Sequence, residues 1–145
     1  AGGEEPGGVY GAVDAGVQKV IGQRLFTIMR VHEAVLEGER VYSSNTTAYP
    51  VGGRKQKRGT AGSRVVLDRG EVFVARTPDE VRETFDDHAL MFSLGVGSVM
   101  TVPFGYRRQR LGTINISHDA GWFRDQDVAA GRLIASLLVP ALLVD

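Results

Sequence analysis

RLGTINISHDAGWFRDQDV, Arg110 to Val128, contains the transition on which the fold depends. In its first half Ile114 and Ile116 alternate with Thr113, Asn115 and Ser117, the period of a strand with two unlike faces. Its second half opens a helix expected from Asp125 to Val144. The apolar residues of that run, among them Leu133, Ile134, Leu137, Leu138 and Leu142, cover most of the circumference. A helix of that kind needs burial on more than one side. Pro140 lacks an amide hydrogen and is expected to kink its last turns.

Outward toward the N-terminus, SVMTVPF (98–104) reads as a strand joined to Arg110–Ser117 by the polar turn GYRRQ (105–109). HALMFSLG (88–95) adds a short helix ended by Gly95 or Gly97. TPDE (77–80) is a helix start: Thr77 caps, Pro78 takes the first helical position and Glu80 completes a capping box. That helix should carry Val81 and Phe85 inward. EVFVA (71–75) reads as a strand, as do RLFTIMRV (24–31) and ERVYSS (39–44). EAVLEGE, with Gly38 in a turn conformation, is expected to join the last two. Val13, Val17, Val20 and Ile21 recur at helical spacing before Gly22. Residues 1–8, AGGEEPGG, read as a flexible tail, which leaves 9–145 as a single domain.

Between Asn45 and Arg64 no period is sustained, and Pro50, Gly52, Gly53, Gly59 and Gly62 break any regular element. A loop of that length inside a small domain is usually functional or disordered. It contains YPVGGRKQKR (49–58), dense in positive charge. Gly52 and Gly53 can permit a sharp turn that brings Arg54 back toward the fold. Nucleic acid binding would want a broader basic stripe or interleaved aromatic residues. A solvated loop and the mouth of a small-ligand pocket remain as readings of Arg54 and Lys55. Lys57 and Arg58 are expected to stay in water.

The chain has 145 residues, 43% apolar and 23% charged, with 17 basic residues against 17 acidic ones. That balance offers no global attraction to a polyanion. The absence of cysteine excludes disulfides, thiolate catalysis and cysteine metal sites. No apolar run reaches the ~18 residues of a membrane span, and a cytoplasmic setting is expected. His32, His88 and His118 have no metal-ligand spacing, so no metal site is assigned. Glycine-rich VGG (51–53) and GVGS (95–98) match no phosphate-binding motif, and no serine sits in a nucleophile elbow. His118 and Asp119 look like an acid–base pair, but neighbouring strand residues point to opposite faces. The His118 imidazole could face a pocket or bond to nearby backbone. No catalytic residue is assigned.

The order helix, two strands, excursion, strand, helices, two strands, helix lacks the βαβ series of a doubly wound fold. Four phrases resemble the GAF family: LFTIMRV (25–31), RVYSSNTTAYPVGGRK (40–55), SLGVGSVMTVPF (93–104) and LGTINISHDAGWFRDQDV (111–128). YPVGGRK is similar to the short free-standing bacterial members. The resemblance implies an α+β fold related to PAS domains: a central antiparallel sheet of about six strands, with the N- and C-terminal helices packed on one face and often forming a dimer. The other face and its loops enclose a pocket for a small effector. It also implies a sensory or regulatory role, acting through a homodimer and a possible effector protein. Cysteine-dependent relatives, the free methionine sulfoxide reductases and bilin-attaching domains, are ruled out as models of activity. The cyclic-nucleotide residue set is not found, and the cofactor stays unknown. The family often has Thr or Ser where Arg124 stands before the last helix, so Asp125 is expected as its cap.

The expected ligand is polar or anionic. It would lie between the long loop and the strand end, with Ser43, Tyr49, Arg54, Lys55, Asn115 and His118 around it. Arg54 could instead pair with an acidic residue such as Asp119 and pin the loop. Two alternatives remain open: a small enzyme acting on a polar metabolite, and a dimerisation module without ligand.

Overall fold

The computed structural model describes residues 6–34, 37–56, 62 and 64–143. At its centre β1 (Leu25–His32) and β6 (Gln109–His118) run antiparallel, with Ile28 opposite Ile114. β2 (Glu37–Ser43) and β3 (Arg54–Gln56) extend the sheet on one side. β5 (Ser98–Tyr106) and β4 (Phe73–Ala75) extend it on the other, giving the order β3-β2-β1-β6-β5-β4 with every pairing antiparallel. Phe26, Ile28, Ile114, Ile116, Met100 and Val102 are fully buried and belong to one core. Alternation puts them on one face of the sheet. Against that face pack α1 (Pro6–Val20), α4 (Asp125–Ser136) and α5 (Val139–Leu143). A second, smaller core on the opposite face joins Leu25, Ala75 and Val99 to α2 (Pro78–Thr84), which buries Val81, and α3 (His88–Ser93), which buries Met91.

Several local expectations change. The C-terminal helix is broken rather than kinked: α4 ends at Ser136 and α5 begins at Val139. The cause is Pro140, whose ring nitrogen cannot donate to the Ser136 carbonyl. Arg124, not Asp125, is the N-cap of α4. In place of an accepting side chain, the Arg124 carbonyl accepts the Asp127 N–H at 2.9 Å, and the Arg124 N–H donates to the buried Asp127 Oδ2 at 2.8 Å. Gly38 lies inside β2, paired with Val31, instead of turning the hairpin. The long excursion contains β3, and a π-helical turn at Arg64–Asp68 follows it. β4 starts at Phe73, not Glu71, and α1 opens at Pro6, inside the segment read as a tail. The Thr77 cap forms as expected, with its Oγ1 accepting the Glu80 N–H. The β5–β6 hairpin also forms, turning at Arg107–Arg108.

Candidate ligand-binding face

Beside the second core, the sheet face opposite the terminal helices carries buried polar residues. Ser43 of β2, Thr27 of β1, Asn115 of β6 and Thr101 of β5 are register partners and make one row across four strands. Thr101 Oγ1 donates to Asn115 Oδ1 at 2.7 Å, and Asn115 Nδ2 lies 3.4 Å from Thr27 Oγ1. Ser43, Thr27 and Thr101 are buried. The adjacent row is Arg40, Met29 and Thr113. Thr113 is 1% exposed, and its hydroxyl has no hydrogen-bond partner among the described residues. Burying polar groups without partners costs stability, so a covered face does not acquire them by default.

Residues 44–50 bring Tyr49 over this face, and Gly52 and Gly53 then bond to the Arg40 backbone at the sheet edge. Asn45 shapes the turn: its carbonyl accepts the Tyr49 N–H at 2.8 Å and its side chain the Ala48 N–H at 3.1 Å. That directs Tyr49 into the second core, where its hydroxyl donates to Asp87 Oδ2 at 2.5 Å. Burial, and then the Asp87 carboxylate, push the Tyr49 phenol far up, so it remains a neutral donor. Arg40 stacks its guanidinium over the Tyr49 ring, 4.9 Å from the centroid. Its Nη1 donates to the Pro50 carbonyl at 3.2 Å, while its Nε is buried and has no partner among the described residues. Gly52, at φ +94, completes the sharp return to β2 that was expected of it.

The structure brings Ser43, Tyr49 and Asn115 to this one face. It does not bring Arg54 or His118 there. Arg54 stands on the sheet edge, half exposed, with Nη1 3.2 Å from Glu37 and Nη2 3.6 Å from Glu39. Its partners are thus glutamates of the neighbouring strand, not Asp119. Lys55 pairs with Gly38 through its backbone, and its side chain lies outside the described residues. Lys57 and Arg58 also lie outside them. His118 is three residues beyond Asn115, which in a strand means the opposite face. There it stacks on Trp122 with ring centroids 3.6 Å apart and planes 2° from parallel. Its Nδ1 accepts the Asp119 N–H at 2.8 Å. Trp122 in turn donates to the Ile21 carbonyl, and Gly22, at φ +94, passes so close that a Cβ would lie 3.3 Å from the indole. Asp119 is paired with Arg24 at 2.6 Å.

Arg40 was missed in the sequence for a physical reason. Unbroken alternation would pair Met29 with Val41 and send Arg40 to the helix side. A register shift between Ile28 and Met29 pairs Met29 with Arg40 instead. Val41 and Tyr42 then both pack toward the helical core, the mark of a β-bulge. Among the described residues, no group of three or more His, Asp or Glu side chains is placed to hold a metal ion.

No family model matches the chain, and no curated protein is significantly similar to it in sequence. Solved structures do match. The GAF domain/HD domain protein of Geobacter sulfurreducens superposes with a TM-score of 0.78 at 14% identity, over 99% of this chain and 97% of that one. The fold is that of a GAF domain. The GAF domain of a two-component sensor histidine kinase from Bacillus halodurans gives a TM-score of 0.76 at 11% identity, covering 94% of this chain and 92% of its own. The type II free methionine-R-sulfoxide reductase of Thermoplasma acidophilum gives 0.68 at 15% identity, covering 91% and 87%. One GAF scaffold therefore carries both sensors and an enzyme, and function has to be argued from the site.

Proposed function

We propose that the chain is a small-molecule-binding sensory or regulatory module. It holds a polar or anionic ligand between the Tyr49 loop and the polar rows of the sheet. The observation that carries this reading is the covered row Ser43–Thr27–Asn115–Thr101 beside two buried polar atoms, Arg40 Nε and Thr113 Oγ1, without partners among the described residues. Arg40 supplies the planar donor fork suited to a carboxylate or phosphate. Asn115 and Ser43 supply neutral donors and acceptors, and Tyr49 closes the site from above. Arg54 is assigned to the sheet edge and His118 to the strand end. The His118–Asp119 pair lies away from the polar rows and is already engaged, which supports sensing over catalysis.

The partner in this reading is a second copy docked on the terminal helices. There a groove of about 340 Å3 is lined by Val9, Ala12, Val13, Ile134 and Leu137, with Leu133 and Leu137 well exposed. Native mass spectrometry of the purified protein tests the ligand. A retained small molecule, released by Arg40→Ala or Asn115→Leu, is the expected result. An empty protein whose melting temperature no carboxylate or phosphate compound raises would overturn it.

A further inference from the structure

The β5–β6 hairpin turns through Arg107 at φ 50 and Arg108 at φ 68. Both residues occupy the left-handed region, as a two-residue hairpin of this hand demands, and the pair suited to it is Asn-Gly. Two arginines there are a strained choice. The preceding bulge at Phe104/Gly105 also constrains the tip, since a Cβ on Gly105 would lie 2.1 Å from the Gln109 carbonyl oxygen. Tyr106 remains 45% exposed, and the Arg107 guanidinium lies over its ring, 5.1 Å from the centroid.

These arginines differ from the others. Every other arginine with a described side chain gives a hydrogen bond or ion pair to a carbonyl or carboxylate. Arg107 and Arg108 have neither among the described residues. An exposed tyrosine and two uncommitted guanidinium forks, one held against the ring, have the composition of an interface hot spot. Stacking fixes the Arg107 fork in advance, which lowers the ordering cost of binding.

We infer that the tip Tyr106–Gln109 is a docking knob for an acidic segment of a partner protein. Carboxylates would meet the two forks bidentately, and an apolar side chain would cover the Tyr106 ring. Nucleic acid fits less well: two forks on a chain of zero net charge cannot follow a phosphate backbone. The inference stands independently of the ligand proposed for the sheet face.

Nuclear magnetic resonance with a synthetic peptide of Glu, Asp and Leu tests it. The expected result is shifts of the Tyr106–Gln109 amides and their strand neighbours. Arg107→Asn with Arg108→Gly should raise the melting temperature by relieving the turn and weaken binding about tenfold or more. Arg107→Lys with Arg108→Lys keeps the charge, loses the forks and should also bind more weakly, a readout that survives if the first variant misfolds. Absent tip shifts, or undiminished binding by the lysine pair, would overturn the inference. Stronger tip shifts with a thymidine oligonucleotide or with phosphatidylserine vesicles would also overturn it, by assigning the knob to another class of partner.

Discussion

At the scale of single residues, Tyr42 and Tyr49 show how two phenols serve opposite faces of one sheet. Tyr42 donates to Asp14 Oδ2 of α1 at 2.5 Å, and Gln23 Nε2 donates to the other oxygen at 2.7 Å. Burial first, and then the hydrogen bond to Asp14, push the Tyr42 phenol up to about 12. The unfolded chain would ionise this group near 10, so between those values the unfolded state binds fewer protons than the folded one. Stability should therefore be unaffected by Tyr42 below about pH 10 and should fall between about pH 10 and 12. Thermal melts across that window should show a shallower fall in Tyr42→Phe than in the parent protein. On the other face, Tyr49→Phe removes a buried donor from Asp87. It should cost about 1–2 kcal/mol in urea unfolding, and little if the hydroxyl were not committed there.

At the scale of elements, the terminal contacts matter more than composition does. Asp127 is 2% exposed because it closes the first turn of α4 on the Arg124 N–H. Asp127→Ala should cost about 1 kcal/mol, measured by denaturant unfolding, and Asp127→Asn should recover part of it. The elements that sequence made legible are those with a clean local period or a cap. The alternation in GTINIS, the apolar spacing of Val13 to Ile21 and the Thr77 cap each form where expected, although Glu80 Oε1 accepts the Arg76 N–H instead of closing a box on Thr77. Elements defined by their neighbours were not legible. β3 is three residues long and exists as a strand through its pairing with Glu37–Glu39. The same limit governs the proposed site. Ser43, Tyr49 and Asn115 could be chosen from chain position and residue chemistry. Arg40, Thr27 and Thr113 join them by register, which one sequence does not encode locally. Arg54 and His118 had the right chemistry for the site but stand on the wrong side of the sheet or at its edge.

At the scale of the whole molecule, the two faces differ: terminal helices and a large core lie on one, polar rows and a smaller core on the other. Leu137 is 61% exposed at the end of α4. Leu137→Asp should therefore leave the subunit folded while dissociating the proposed dimer. Light scattering on a sizing column should read twice 15.7 kDa for the parent protein and 15.7 kDa for the variant. A parent protein already at 15.7 kDa would rule the dimer out. The division of faces also depends on the bulge. Because Val41 is the extra residue of the bulge, the layer to which Arg40 belongs is set by whether Val41 is left out of the pairing. In genetic terms, an in-frame loss of that one codon would leave the composition of the strand nearly unchanged. It would also remove the bulge and leave Arg40 opposite Met29 by plain alternation, still in the layer of the polar rows; keeping Val41 while straightening the strand is what would carry the arginine to the helix layer.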